Sequence, residues 1–124
     1  KLYGFGLYKT EVETLLAQLV EENYLNEERF AIAFAGGKFR MKGWGKQKII
    51  YELKLKAVSD YCIRKALASI DEAAYSKTLQ KLAGEKLAAL KGERNIFIKK
   101  KKLQQYLLQK GFETNRINEI VNTI

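Results

Sequence analysis

Four groups of side chains could do chemistry in this sequence: the glycine turn Gly43-Trp44-Gly45 followed by Lys46 and Lys48, the acidic pairs Glu21-Glu22, Glu27-Glu28 and Asp71-Glu72, the single thiol Cys62, and the run Lys99-Lys100-Lys101-Lys102. A glycine turn that opens a helix presents backbone N–H groups to an anion. This one lacks the full Gly-x-x-x-x-Gly-Lys spacing, and no strand precedes it. It therefore reads as a turn between helices, with Trp44 packed between structural units. The acidic pairs fall near predicted helix starts or ends, and acids at helix N-termini complement the macrodipole. Glu27-Glu28 and Asp71-Glu72 thus need no catalytic role. Cys62, between Tyr61 and Ile63 on an apolar helix, reads as a small buried hydrophobe.

Missing residue types narrow the chemistry further. The chain has no His, which removes the usual general base at neutral pH and most zinc and iron sites. One cysteine can form neither an internal disulfide nor a thiolate cluster. No Ser, Cys or Lys stands in a recognisable catalytic context, so a non-catalytic protein without cofactor or metal is expected. No apolar run approaches the roughly 18 residues of a membrane span, and no secretory signal pattern is visible, which leaves the cytoplasm as the default location.

Charge is the positive signal. The 124 residues carry 23 Lys and Arg against 14 Asp and Glu, a net +9, distributed unevenly. Residues 1–37 hold three basic and six acidic side chains, residues 38–65 nine and two, and residues 77–110 ten and two. Such segregation suggests a polyanionic partner, either nucleic acid or an acidic protein groove, against the plainer reading of lysines that solvate outer helix faces. The basic residues are 18 Lys and 5 Arg, which suits phosphates or carboxylates better than the base edges that arginine forks read. Any DNA binding should show little sequence preference.

Helices must position these groups. The absence of proline and the few concentrated glycines favour helix, and no strand is predicted. An internal repeat is present: Ile49, Leu53, Val58, Ile63, Leu67 and Ile70, shifted by 54, land on Leu103, Leu107, Phe112, Ile117, Val121 and Ile124. Shifting back by 51 carries the last five onto Leu2, Leu7, Val12, Leu16 and Leu19. Each copy reads as helix, short turn, helix, with turns at Phe5-Gly6-Leu7, Lys56-Ala57-Val58 and Lys110-Gly111-Phe112, where Gly suits a left-handed C-cap. Thr10 with Glu13 could form a capping box. Between copies, Asn26 is a plausible N-cap for a helix ending near Lys42, and Asp71 for one ending near Leu90 or Lys91, where Gly92 stops it.

The expected fold is therefore all-α, in tandem three-helix repeats stacked into an elongated, curved array. Residues 1–25 would be the C-terminal part of a first, truncated repeat, 26–70 the second repeat and 71–124 the third. The pattern opens inside what reads as the end of a helix, so an N-terminal part of the natural protein is expected before Lys1.

The segment Tyr24-Leu25-Asn26-Glu27-Glu28-Arg29-Phe30-Ala31, then Lys42-Gly43-Trp44-Gly45, then Ile49 to Leu53 with Glu52 and Lys56, resembles the central signature of the RecX family, and Ile96 to Ile124 resembles its last repeat. Ala57 stands where that pattern commonly has Gly. The resemblance implies tandem three-helix repeats and a regulatory protein of the SOS response and homologous recombination. Members bind in the helical groove of the RecA recombinase filament, bridge neighbouring protomers, and inhibit ATP hydrolysis and strand exchange. Within the signature, Phe30 is expected in the core, and Arg29 paired with Glu22, Glu27 or Glu28 or in contact with a partner.

Charge and position, rather than a motif, nominate Lys38, Arg40, Lys42, Lys46 and Lys48 and the run Lys99, Lys100, Lys101 and Lys102 as partner or DNA contacts. The expected partner is the RecA filament, with single- or double-stranded DNA bound without sequence specificity, no membrane, and a monomeric state. The alternative is a nonspecific basic DNA-binding protein for which RecA is irrelevant; a helical scaffold for another acidic protein is a third reading.

Overall fold

The computed structural model describes residues 9–124, and the side chains of these except 9–16, 19–21 and 24. Six helices follow one another: α1 (Lys9–Lys42), α2 (Lys46–Leu55), α3 (Asp60–Ala68), α4 (Glu72–Ala89), α5 (Ile96–Lys110) and α6 (Thr114–Val121). No strand occurs among the described residues. The Phe5-Gly6-Leu7 turn and the side chains of the Thr10–Glu13 capping box lie outside what is described.

Helix α1 corrects the sequence reading. Its 34 residues run without a break through Asn26, which is therefore not an N-cap. No glycine or proline interrupts residues 9–35, and one exposed Asn inside a helix costs less than about 0.7 kcal/mol relative to Ala. Glu21-Glu22 and Glu27-Glu28 consequently sit inside a helix instead of at its end. Glu27 ties α1 to the start of α3, because its carboxylate accepts the backbone N–H of Ser59 at 2.6 Å. That bond, with help from the Cys62 thiol, holds the Glu27 carboxyl below its ordinary value.

The remaining helix ends follow local capping rules. Ser59 accepts from Cys62 N at 3.3 Å, Asp71 from Ala74 N at 2.9 Å, and Asn95 from Phe97 N at 2.9 Å. Helix α4 ends at Ala89, and Gly92 stands just beyond without a left-handed φ. Helices α2 and α5 end alike: Val58 N donates to Leu53 O at 3.1 Å, and Phe112 N to Leu107 O at 3.2 Å. The left-handed residue is Gly111 in one (φ 97°) and Ala57 in the other (φ 60°).

The C-terminal part of α1 packs on α2 and α3, while α4 packs on α5 and α5 on α6. The core is continuous across both sets. Ala31, Ala35 and Phe39 of α1 meet Ile49 and Leu53 of α2 and Cys62, Ile63 and Ala66 of α3; Tyr75, Leu79 and Ala83 of α4 meet Leu103, Leu107, Phe112 and Ile117. Most repeat positions are buried, and Cys62 is a core residue. The repeat's last position differs between copies: Ile70 is buried, whereas Ile124 remains 36% exposed. Phe30 also departs from expectation. It is 46% exposed, because α1 turns Ala31, Ala35 and Phe39 inward and leaves Phe30 about 140° around the helix from their mean direction.

The two sets meet through backbone. Gly45 N donates to Lys110 O at 2.7 Å and Gln47 N to Gly111 O at 2.8 Å. Lys46 N donates to the Tyr75 hydroxyl at 2.9 Å. Tyr75 is fully buried between Phe39 (ring centroids 5.7 Å) and Phe112 (5.4 Å), and its hydroxyl donates to the Glu113 carboxylate. Arg116 completes the joint, binding Glu72 at 2.5 Å and Glu113 at 3.3 Å.

Candidate partner-binding site

Two aromatic rings and three lysines form the most organised charged surface. Phe34, one helical turn above Lys38 on α1, meets Trp44 of the following turn edge to face at 6.2 Å. The Lys38 ammonium lies over both rings, 5.1 Å from Trp44 and 5.5 Å from Phe34. Lys48 of α2 stands 4.7 Å from Trp44, and Lys56, just past α2, 5.5 Å from Phe34. Quadrupole attraction by the rings offsets part of the repulsion between the ammonium groups and limits where they can go. Trp44 thus packs within its own three-helix set, and the glycine after it makes the contact between sets.

Beside this cluster, α1 carries an open apolar depression of about 270 Å³ lined by Ala33, Phe34, Gly37, Lys38, Met41 and Lys42. Met41 is 84% exposed. Lys48, Tyr106, Gln109 and Lys110 line a smaller recess of about 200 Å³, with the Lys86 ammonium 5.2 Å from the Tyr106 ring.

The nominated residues separate into groups. Lys38 and Lys48 come together on Trp44. Lys42 is exposed, and its carbonyl accepts the Lys110 ammonium at 3.0 Å. Lys46 turns to the joint, its ammonium 4.7 Å from the Tyr75 ring. Arg40 lies about 200° around α1 from Lys38 and lines another cleft with Ile32, Gly36, Ser69 and Asp71. The run Lys99 to Lys102 does not form one patch: four consecutive helical residues span about 300°, and Lys102 approaches Glu93 at 3.9 Å. Lys56, Lys86 and Lys110 were not singled out from the sequence. The Phe34–Lys38 spacing of four within α1 was the available signal, because it places that lysine one turn from the ring; Trp44 lies in the turn before α2, so its contact with Lys48 has no helical spacing behind it.

Among the signature residues, Leu53 is buried and Glu52 half-buried, while Leu25, Arg29 and Phe30 are exposed; the Tyr24 side chain lies outside those described. No ion pair of Arg29 is found among the described residues. Gly43 adopts a left-handed φ of 67° against Leu82 of α4. The N–H groups that a phosphate would need at α2 are already taken by Lys110 O, Gly111 O and the Tyr75 hydroxyl, so this turn is structural.

The arrangement provides clustered cations next to apolar surface. Among the described residues no group of His, Cys, Asp and Glu is placed to hold a metal ion, and no helix is long and apolar enough to cross a membrane.

Comparison with known proteins agrees with this architecture. Residues 26–67 match the family model for the second three-helix domain of RecX. The chain is 31% identical over 113 residues to the regulatory protein RecX of Chlorobium phaeobacteroides (strain BS1), covering 91% of this chain and 72% of that protein. It is 32% identical over 125 aligned positions to the regulatory protein RecX of Clostridium perfringens (strain 13 / Type A), of which it spans 58%. Against that of Prosthecochloris aestuarii (strain DSM 271 / SK 413) it is 31% identical over 124 positions and spans 79%. No solved structure matches the chain. With this identity maintained along its length, and with a three-helix set where the family model falls, the chain belongs to the RecX family.

Proposed function

We propose that this protein binds the RecA–DNA filament and inhibits its ATP hydrolysis and strand exchange, and so regulates DNA repair. The observation that carries this reading is the gathering of Lys38, Lys48 and Lys56 around Phe34 and Trp44, in a chain whose relatives are named regulatory proteins. A cation cluster without a general base or a metal site can bind and block, which suits a non-catalytic regulator. Several weak contacts along successive filament protomers would add through avidity. The protein acts as a cytoplasmic monomer without a cofactor. We take 26–70 and 71–124 as the two repeats and 1–25 as the end of a preceding one; the matched caps at Ala57 and Gly111 favour this division, whose first boundary falls inside α1.

The test is RecA's single-strand-dependent ATP hydrolysis, titrated with this protein and with Lys38→Glu/Lys48→Glu at fixed moderate salt. Inhibition at substoichiometric protein, lost in the variant, supports filament regulation. The net charge of +9 keeps a second reading in view, a nonspecific DNA competitor. It predicts inhibition only at DNA-coating concentrations, with affinity falling by about 0.9 log unit per log unit of salt for each phosphate neutralised.

A further inference from the structure

We infer that the outer face of α1 is a docking site for a short acidic, amphipathic segment of a protein partner, which seats one large apolar side chain over Gly37, between Phe34 and Met41, and sets carboxylates against Lys38, Lys48 and Lys56. This deepens the regulatory reading by naming what the basic block receives, and it rests on that reading only in assuming that the partner is a protein.

Helical spacing puts the apolar part of the site in register. Residues 30, 34, 37 and 41 lie within about 60° of one another around α1, and their mean direction is roughly 130° from that of the core-facing Ala31, Ala35 and Phe39. They are Phe30, Phe34, Gly37 and Met41. A soluble helix normally turns such residues inward, yet here Phe30 is 46% and Met41 84% exposed. The stripe is interrupted by a hollow: a β-carbon added to Gly37 would meet nothing within 4 Å, and this gap forms the middle of the 270 Å³ depression. A glycine costs about 1 kcal/mol in a helix interior, and at Gly37 that cost leaves an empty seat between two large apolar side chains.

The rim selects the occupant by charge. Lys38 borders the depression, and Lys48 and Lys56 stand on the same two rings. Their ammonium groups are already ordered by cation–π contact at 4.7–5.5 Å, so carboxylates find them partly preorganised. The same contacts argue against single-stranded nucleic acid at this site. Base stacking needs a free aromatic face, and here lysines cover Trp44 and Phe34. Met41 adds an unbranched, polarizable wall that accommodates differently shaped anchors.

Trp44 is the single tryptophan and reports on its own lysines, so binding can be followed by its fluorescence. The probes are a 16-residue helix-forming peptide with leucines at positions i, i+4 and i+7 separated by glutamates, the same peptide with every Glu changed to Lys, and the oligothymidylate dT16. The expected result is saturable binding of the acidic peptide alone at this face. Gly37→Leu, which fills the seat while improving helix propensity, should weaken it at least tenfold with thermal stability retained, and Lys38→Glu/Lys48→Glu by a similar factor. Binding that both variants leave unchanged overturns the inference, as does failure of the acidic peptide to bind at millimolar concentration. Displacement of that peptide by dT16 in a manner that Gly37→Leu abolishes would also overturn it in favour of nucleic acid. RecA inhibition separates the two readings: full inhibition by Gly37→Leu defeats the docking site while leaving regulation intact, and peptide binding by a protein that never inhibits RecA leaves the docking site while defeating regulation.

Discussion

Gly45 and Gly111 pack backbone to backbone, so close that a β-carbon on Gly45 would stand 2.4 Å from the Gly111 carbonyl and from Phe112 N. The contact fastens the start of α2 to the turn between α5 and α6, and two hydrogen bonds, Gly45 N to Lys110 O and Gln47 N to Gly111 O, run alongside it. Neither neighbour is a side chain that can swing away. Gly45→Ala should therefore lower stability by at least about 2 kcal/mol, read as a reduced urea midpoint, the more so because Gly45 is the N-cap of α2, where Gly is preferred over Ala. An unchanged midpoint would mean that the joint is not closed in solution.

The matched caps at Ala57 and Gly111 predict opposite responses. Ala57 is exposed with φ 60°, where a β-carbon costs roughly 1 kcal/mol. Ala57→Gly should raise stability by up to about that amount. Gly111→Ala should be far more damaging, since its β-carbon would lie 2.3 Å from Lys48 Cβ in addition to the strain of φ 97°. Thermal melts of the two variants, side by side, check both signs.

Tyr75 gives the joint its buried polar centre. Removing the hydroxyl in Tyr75→Phe leaves Lys46 N without its acceptor and takes from Glu113 Oε1 the donor that Tyr75 supplied, Arg116 still binding Oε2, for an expected loss of about 1–3 kcal/mol by urea denaturation. Burial, with the Glu113 carboxylate beside it, raises the hydroxyl's pKa well above the ordinary 10.0. Its contribution is complete below pH 10 and disappears as pH climbs through the higher folded value, so the wild type should lose stability in strong alkali by a route that Tyr75→Phe lacks.

Acid should loosen two ties between helices. Ser59 N holds the Glu27 carboxyl, and Arg116 the Glu72 carboxyl, below the ordinary 4.5. A group with a lowered folded pKa stabilises above its unfolded value and loses that contribution as pH falls through the folded one. The melting temperature should thus be level near neutrality and decline below pH 4.5. Glu27→Gln and Glu72→Gln should each start lower and decline less, which a series of melts across pH would show.

Much of this was legible in the sequence because burial of apolar side chains follows periodicity. The 54-residue shift aligned Leu53 with Leu107 and Ile63 with Ile117, and all four are core. Asp71 could be read as a cap because the signal is local. Asn26 misled for the same reason: its side chain suits a cap, but the continuous run of helix formers on both sides overrides a single residue. The site was legible only in part. Charge density singled out residues 38–48 but could not tell Lys38 and Lys48, which share Trp44, from Lys46 and Arg40, which face elsewhere. The contribution of Lys56 and Lys110 depends on where chain turns return, and so does the role of Gly45, whose closest neighbour is 66 positions away along the chain.

The unbroken course of α1 gives the molecule a phase-locked shaft. Its 34 residues span about 51 Å, and each carries a fixed rotation of about 100°. The backbone near its start therefore keeps a set bearing relative to Phe34 and Lys38 more than 20 residues later. One residue inserted beside Asn26 would swing the earlier end by about 100° and advance it by about 1.5 Å without touching any contact of the later part. Four inserted residues, at about 40° past a full turn, would nearly restore the bearing. The angular setting between the two ends of the shaft is thus written in residue count, so a partner that grips both ends would read the length of α1 as strictly as its chemistry.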